Sequence, residues 1–154
     1  MSTFLALLLV MCQAEPPLKV ERHWDAISAY EIHDADTLVD VTIPLGYGVF
    51  IGGKSVRFHG VDAWESNRTR QPSKTFPKLN EAQWKDEIAK GIKARDALAK
   101  LAAGGTFYLD VMKHEAAFNR IDAVVYLRTT RGEVIDVAKW LKANGHDRTA
   151  KPSP

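Results

Sequence analysis

One segment of this sequence has the composition of a long α-helix, and three strand-like segments precede it. Residues 81–103 are rich in alanine, lysine, glutamate and leucine, and two glycines follow them as a helix-ending signal. The strand-like segments cover residues 24–38, 38–43 and 54–61, and the second is rich in β-branched residues. Neighbouring parallel strands need a crossover connection, and none separates these three segments. The order therefore argues against a parallel sheet.

The rest of the chain continues the strand pattern and closes with a second, short helix. Residues 106–112 and 121–128 are predicted as strands, Gly132 as a turn, and residues 136–144 as a helix. Residues 44–53, with one proline and four glycines, are predicted as a loop. A chain of 154 residues that is 45% hydrophobic fits one domain with a buried core. The order predicts an α+β, mainly β fold: a five-stranded OB-fold barrel with one long helix after strand 3 and a short C-terminal helix.

The first 14 residues resemble a secretory signal peptide. Residues 4–11 form an apolar run too short to span a bilayer, and Cys12-Gln13-Ala14 offers small residues before a cleavage point after Ala14. No lysine or arginine precedes the run, so a retained first strand or helix in a cytoplasmic protein is the alternative. Cleavage predicts a secreted or periplasmic protein. It also removes the only cysteine, which excludes cysteine zinc sites and cysteine nucleophiles.

The sequence after the predicted cleavage point divides into three parts. Residues 15–23 form a polar lead-in with two prolines, residues 24–145 form the domain, and residues 146–154 form a polar tail. Within the domain, residues 66–78 are predicted as a basic surface loop. The net charge of +2 and pI near 8.7 are compatible with a polyanionic partner but do not by themselves indicate one.

Two short stretches contain residues that suit phosphate chemistry. Asp34 and Asp36 lie two positions apart at a strand start, so both side chains face one side of an extended chain. Arg57 lies on a strand, and Asp62 and Glu65 follow on the next loop. Carboxylates suit a hard cation such as Ca²⁺, and a guanidinium fork bonds two phosphate oxygens, so the combination predicts a phosphodiesterase. Taken separately, the aspartates fit a turn and the other charges fit a solvated surface.

A second arginine and one aromatic side chain are the remaining candidates. Arg120 directly precedes an apolar strand, where it fits either a phosphate ligand or a strand-edge charge. Phe118 fits base stacking about as well as it fits packing. His59 lies on the same strand as Arg57 and is interpreted as a surface or barrel-rim residue without a role.

In order and spacing, these motifs resemble those of the staphylococcal nuclease-like (thermonuclease) family over about residues 30–145. Asp34-Ala35-Asp36-Thr37 is similar to the family's Asp-Gly-Asp-Thr segment. Arg57, followed by Val61-Asp62-Ala63-Trp64-Glu65, is similar to its Arg-x-x-x-hydrophobic-Asp-[Thr/Ala]-Pro-Glu segment. Phe118-Asn119-Arg120 stands where the family has a Tyr-Gly-Arg-like loop.

The sequence departs from the family pattern beside each motif. Ala35 replaces a glycine, Trp64 replaces a proline, and Phe118-Asn119 replaces Tyr-Gly, while Ala116 stands near a position that often holds aspartate. The first two changes affect loop geometry near the predicted metal site. The last two affect the placement of Arg120. None of the four removes a side chain with a predicted catalytic role.

The resemblance implies a calcium-dependent nuclease that hydrolyses DNA, RNA or both with little sequence preference and leaves 3′-phosphate ends. We also expect a monomer with no stable membrane association. A non-catalytic OB-fold module that binds nucleic acid or protein is the alternative. The implied roles are Ca²⁺ binding by Asp36, Asp62 and the backbone carbonyl of Ala63, phosphate binding by Arg57 and Arg120, water handling by Glu65, and support by Asp34 and Thr37.

Overall fold

The computed structural model of the chain describes residues 25–67, 79–115 and 119–149. Within these ranges, strands dominate and two helices accompany them. The strands are β1 (Asp25–Ala26), β2 (Ala29–Asp34), β3 (Thr37–Gly46), β4 (Val49–Phe58), β5 (Thr106–Glu115), β6 (Arg120–Arg128) and β7 (Val134–Asp136), and the helices are α1 (Glu81–Ala102) and α2 (Val137–Ala143).

The strands form one mixed sheet in the order β1-β5-β6-β4-β3-β2, and β7 pairs with β6. All pairs are antiparallel except β4 with β6, which is parallel. The long helix α1 lies in the chain between these two parallel strands, which satisfies the need for a crossover at this one place. The predicted mainly β class with a long helix after the third long strand is therefore confirmed.

The two ends of the sheet are close together in the chain. β1 pairs with β5 and β2 pairs with β3, and only Ile27 and Ser28 separate them. The backbone N–H of Ile27 donates to the Phe107 carbonyl, and that of Ser28 donates to the Thr42 carbonyl. In the described residues, strand pairing therefore gives an open sheet with β1 and β2 at its two ends. It does not show the closed five-stranded barrel that the sequence predicts.

The prediction of a loop over residues 44–53 was wrong. β3 and β4 continue through this segment and meet in a two-residue turn at Tyr47 and Gly48, where both residues have positive φ (50° and 76°). This is the pattern of a type I′ hairpin, whose twist matches that of the flanking strands. The proline and glycines suggested a loop because glycine and proline usually punctuate structure.

Helix α1 begins and ends close to the predicted bounds. Asn80 caps it: its side chain accepts from the Gln83 N–H, and the Gln83 side chain accepts from the Asn80 N–H. Its buried residues include Trp84, Ile88 and Leu98, so one side of the helix is covered by the rest of the domain. The second helix matches too, because Asp136 and Asn144 are its two caps.

The segment predicted as a polar tail is ordered at its start. Asp147 is 5% exposed and forms an isolated antiparallel bridge with Ala63. Residues 1–24, 68–78, 116–118 and 150–154 lie outside the described residues, so the predicted signal peptide, lead-in and basic loop, together with Phe118, stay predictions. Within the described ranges, no helix combines the length and the apolar character that crossing a membrane requires.

Candidate active site

Four strands place polar residues at one level on the outer face of the sheet. Strand register sets Asp34 opposite Thr37, Thr37 opposite Arg57, and Arg57 opposite Asp122. Val56 and Phe58, which flank Arg57 on β4, are both buried in the core. Because side chains alternate along a strand, the Arg57 side chain lies on the opposite face, away from the core.

Asp36 is the most buried charged residue of this region, at 2% exposed. Its Oδ1 accepts from Arg57 Nη1 at 2.8 Å and from Thr37 Oγ1 at 3.0 Å, and its Oδ2 accepts from the Ala63 N–H at 2.6 Å. Burial raises the pKa of Asp36, and the nearby Asp34 raises it further, while Arg57 and the two hydrogen bonds oppose this shift. An additional cation nearby would therefore stabilise the ionised form of Asp36.

Arg57 joins the two aspartates that the sequence predicts as a metal pair. Its Nη1 binds Asp36, and its Nη2 lies 2.7 Å from Oδ1 of Asp62. A planar guanidinium can hold two carboxylates at once because its N–H groups point in fixed directions. The structure thus brings together three of the predicted residues in one hydrogen-bonded unit.

Arg148 extends this unit, although no motif in the sequence indicates it. Its Nη2 lies 2.5 Å from Asp62 Oδ2, its Nη1 lies 3.4 Å from Glu87 Oε1, and its backbone N–H donates to the Asp62 carbonyl. The only sequence signal was a basic residue in a short polar segment after α2. Such a residue is ordinary, so pattern alone gave no reason to choose it.

Glu65 lies beside this unit rather than inside it. The residue is 6% exposed, and its Oε1 accepts from the Asn67 N–H at 3.0 Å. Its own N–H donates to Glu87 Oε1 at 3.3 Å, and Glu87 also contacts Arg148. These bonds connect Glu65 to Asp62 through two intermediate side chains. Gly91 permits this close approach, since a Cβ there would lie 2.1 Å from the Glu65 carbonyl oxygen.

Asp34 supports the loop that carries Glu65. Its Oδ1 accepts from the Ser66 hydroxyl at 2.5 Å and from the Ser66 N–H at 3.2 Å. The Ser66 hydroxyl also lies 3.1 Å from the His33 carbonyl. Asp34 thus ties the end of β2 to the loop after Glu65.

Arg120 lies on the same sheet face as Arg57. It stands opposite Ser55 on β4, two residues before Arg57, and residues two apart on a strand share a face. Asn119, in the place of the family's glycine, has a φ of 50°. Asparagine tolerates this left-handed conformation better than most residues, and its side chain donates to the Gly53 carbonyl at 2.7 Å. Asn119 therefore adopts, just before Arg120, a backbone conformation that glycine also tolerates.

The other departures from the family pattern also fit locally. Ala35 is fully buried and is not among the described residues with positive φ, so this turn does not require glycine. Trp64 packs under Lys90 of α1, whose Nζ lies 4.6 Å from the ring centroid. A contact with the helix therefore restrains the loop where the family uses proline.

The candidate metal ligands are of the type that Ca²⁺ prefers, but they are fewer than the ion takes. Asp36 and Asp62 supply carboxylate oxygens, which hard cations prefer, and the raised pKa of Asp36 marks a carboxylate that a cation would stabilise. Ca²⁺ takes about 6–8 oxygen ligands, so water or substrate would have to supply the others. Among the described residues, no group of three or more His, Cys, Asp or Glu side chains is arranged around one metal position.

Comparison with models of known protein families gives no match for this sequence, and comparison with curated proteins gives none either. The family resemblance consequently depends on the three motifs named above.

Proposed function

We propose that this chain is a calcium-dependent nuclease that hydrolyses phosphodiester bonds of DNA, RNA or both with little sequence preference and leaves 3′-phosphate ends. The observation that carries the proposal is the bridge from Arg57 to both Asp36 and Asp62. It combines a phosphate-binding group and two cation-binding groups within one hydrogen-bonded unit. A purely structural sheet has no need for this combination on its outer face.

We also propose that the sheet closes into an OB-type barrel. β1 and β2 would act as one strand interrupted at Ile27 and Ser28, pairing with β5 on one side and β3 on the other. The two backbone bonds from Ile27 and Ser28 to those strands support this interpretation. The order β1-β5-β6-β4-β3-β2 then becomes a ring of five strands with β7 appended.

In this proposal, Asp36, Asp62 and the Ala63 carbonyl hold the cation, and Asp34 and Thr37 support them. Bound Ca²⁺ would offset negative charge that develops on a phosphoryl oxygen. Arg57 already spans both aspartates, so a cation that takes over part of their charge would free its donors for phosphate.

The remaining chemistry belongs to Glu65 and Arg120. Glu65 would orient or deprotonate the attacking water, and its burial means that substrate binding must open access to its carboxylate. Arg120 would bind phosphate oxygens together with Arg57, since both extend from the same face. Loss of one such donor typically costs about 3–4 kcal/mol of transition-state stabilisation.

A digestion assay with controlled chelation tests this function. Purified protein with Ca²⁺ should release acid-soluble nucleotides from single-stranded DNA, double-stranded DNA or RNA, with 3′-phosphate ends. A chelator should abolish the release, and added Ca²⁺ should restore it. Activity that is unaffected by chelation would exclude the metal site.

The second candidate function is a non-catalytic OB-fold module. It predicts binding of nucleic acid without cleavage under every metal condition. The presence of Asp36, Arg57, Asp62, Glu65 and Arg120 favours the enzyme, because a binding module has no need to retain all five.

We also propose that the protein is exported and acts as a secreted or periplasmic monomer. N-terminal sequencing of the exported protein should then locate the cleavage point after Ala14.

A further inference from the structure

A histidine–aspartate pair lies on the outer face of the sheet beside Arg57. Nδ1 of His59 lies 2.9 Å from Oδ2 of Asp122, and the His59 side chain is 50% exposed. A carboxylate only accepts hydrogen bonds, so Nδ1 carries the hydrogen in this pair and Nε2 is the other ring nitrogen. The backbone N–H of His59 also donates to the Ala123 carbonyl at 2.8 Å, which anchors the residue to β6.

Strand register places this pair next to the proposed phosphate site. His59 directly follows β4, two residues after Arg57, and its contact with Asp122 brings its ring to the side of the sheet that carries Arg57. Asp122 is the direct cross-strand neighbour of Arg57. The buried residues Phe58 and Ala123, also paired in register, fix this alignment from the core side.

The proposed reaction needs a group that protonates the leaving oxygen. Hydrolysis of a nucleic acid expels an alkoxide, which is a poor leaving group unless a proton is transferred to it. Glu65 handles the water, and the guanidinium groups of Arg57 and Arg120 do not release a proton in proteins. None of the described residues assigned to the site so far is therefore a general acid.

We propose that His59 is this general acid and that Asp122 is its positioning residue, an inference that rests on the proposed nuclease function. Water attacks phosphorus and forms a new P–O bond while Glu65 takes one of its protons. The bond from phosphorus to the 5′-oxygen breaks, and its electron pair stays on that oxygen. His59 Nε2 transfers its proton there, giving a 5′-hydroxyl. The proton held by Glu65 then returns, through solvent, to His59.

The charges around His59 suit this role. Asp122 faces His59 from β6, and Arg57 on β4 is the cross-strand neighbour of that carboxylate. Lys113 on β5 stands in register with Asp122, and Asp62 on the following loop is paired with Arg57 and Arg148. A general acid must be protonated, so its contribution to kcat/KM falls as pH rises.

Leaving-group dependence tests the inference. The substrates are thymidylyl-(3′→5′)-thymidine, which expels an alkoxide, and the p-nitrophenyl ester of thymidine 3′-phosphate, which expels a stable phenolate without a proton. His59→Gln should slow cleavage of the dinucleotide by about 10²–10⁴-fold. The same variant should cleave the nitrophenyl ester at close to the wild-type rate. His114→Gln, an exposed histidine on β5, is the matched control and should leave both rates unchanged.

The pH profile on the dinucleotide is the second readout. Wild-type kcat/KM should fall on the alkaline side, and this limb should be absent in His59→Gln. Asp122→Asn should slow cleavage of the dinucleotide more than cleavage of the nitrophenyl ester, because Asp122 positions the imidazole that protonates the alkoxide. Equal slowing of both esters by His59→Gln, or wild-type rates on both, would overturn this inference alone. A wild-type protein that cleaves neither ester would overturn the nuclease function and this inference with it.

Discussion

Arg148 contacts the Asp62 carboxylate with its Nη2 at 2.5 Å, although 86 residues separate the two in sequence. The same guanidinium reaches Glu87 on α1. Three parts of the chain therefore meet at one side chain: the loop after β4, the long helix and the segment after α2. The position of Asp62, and with it the bridge to Arg57, depends on all three.

Arg148 and Glu87 should be energetically coupled. Arg148→Ala leaves the buried Glu87 carboxylate without its cation, whereas combining it with Glu87→Gln removes the charge that needed one. In a double-mutant cycle followed by denaturant unfolding, we expect a coupling free energy of about 0.5–3 kcal/mol. Additive effects of the two substitutions would mean that the contact contributes nothing to stability.

Asp36→Asn should remove a cation ligand and should change how the free energy of unfolding depends on pH. Burial raises the pKa of Asp36, so the folded state binds a proton more readily than the unfolded state. Stability then falls as pH rises from the unfolded pKa through the folded pKa of this carboxyl. Asparagine does not ionise, so the variant does not lose this stability as pH rises.

The free energy of unfolding of Asp36→Asn, measured relative to wild type, should therefore rise from low pH toward neutral pH. Thermal unfolding between acidic and neutral pH, with a chelator present, measures this difference. Asp96→Asn, an exposed aspartate on α1, is the control. A difference in Tm that does not vary with pH would contradict the assigned effect of burial.

Gly91→Ala should displace the loop that carries Glu65. The added Cβ would overlap the backbone of Glu65 and Ser66, at 2.1 Å from the Glu65 oxygen and 2.7 Å from the Ser66 nitrogen. Overpacking of this kind typically costs about 1–3 kcal/mol. Gly52→Ala is the matched control, because its Cβ would have only the Thr42 hydroxyl nearby, at 3.8 Å. Equal stability of the two variants by chemical denaturation would refute the close contact.

Arg120→Ala should lower kcat on DNA by about 10²–10³-fold without unfolding the protein, since it removes a donor to the transition state. Arg131→Ala, in the exposed turn before β7, is the control and should retain activity. Circular dichroism checks that both variants are folded. Full activity of Arg120→Ala would remove this arginine from the site.

Local patterns predicted the elements of this fold well, whereas contacts between distant segments required the structure. The caps of α1 and the alternation of Val56, Arg57 and Phe58 follow from neighbouring residues, and both were predictable. The β3–β4 hairpin was not, because its Tyr47-Gly48 turn lies among glycines that suggested a loop.

The site shows the same division. The motifs gave Asp36, Arg57 and Asp62, and the structure joins them. Arg148 and Gly91 became apparent only through contacts across more than 20 residues of sequence. Neither has a local signal, since a basic residue in a polar tail and a glycine in a helix each have ordinary explanations.

Glu65→Gln tests the central claim most directly, because it removes a proton-accepting carboxylate while glutamine preserves its shape and an oxygen for the Asn67 N–H. We predict that the purified variant remains folded and releases acid-soluble nucleotides from DNA with Ca²⁺ at least about 100-fold more slowly than wild type. Glu133→Gln, an exposed control, should match wild type. Near-full activity of Glu65→Gln, or no release by wild type under any metal condition, would contradict the proposed nuclease mechanism.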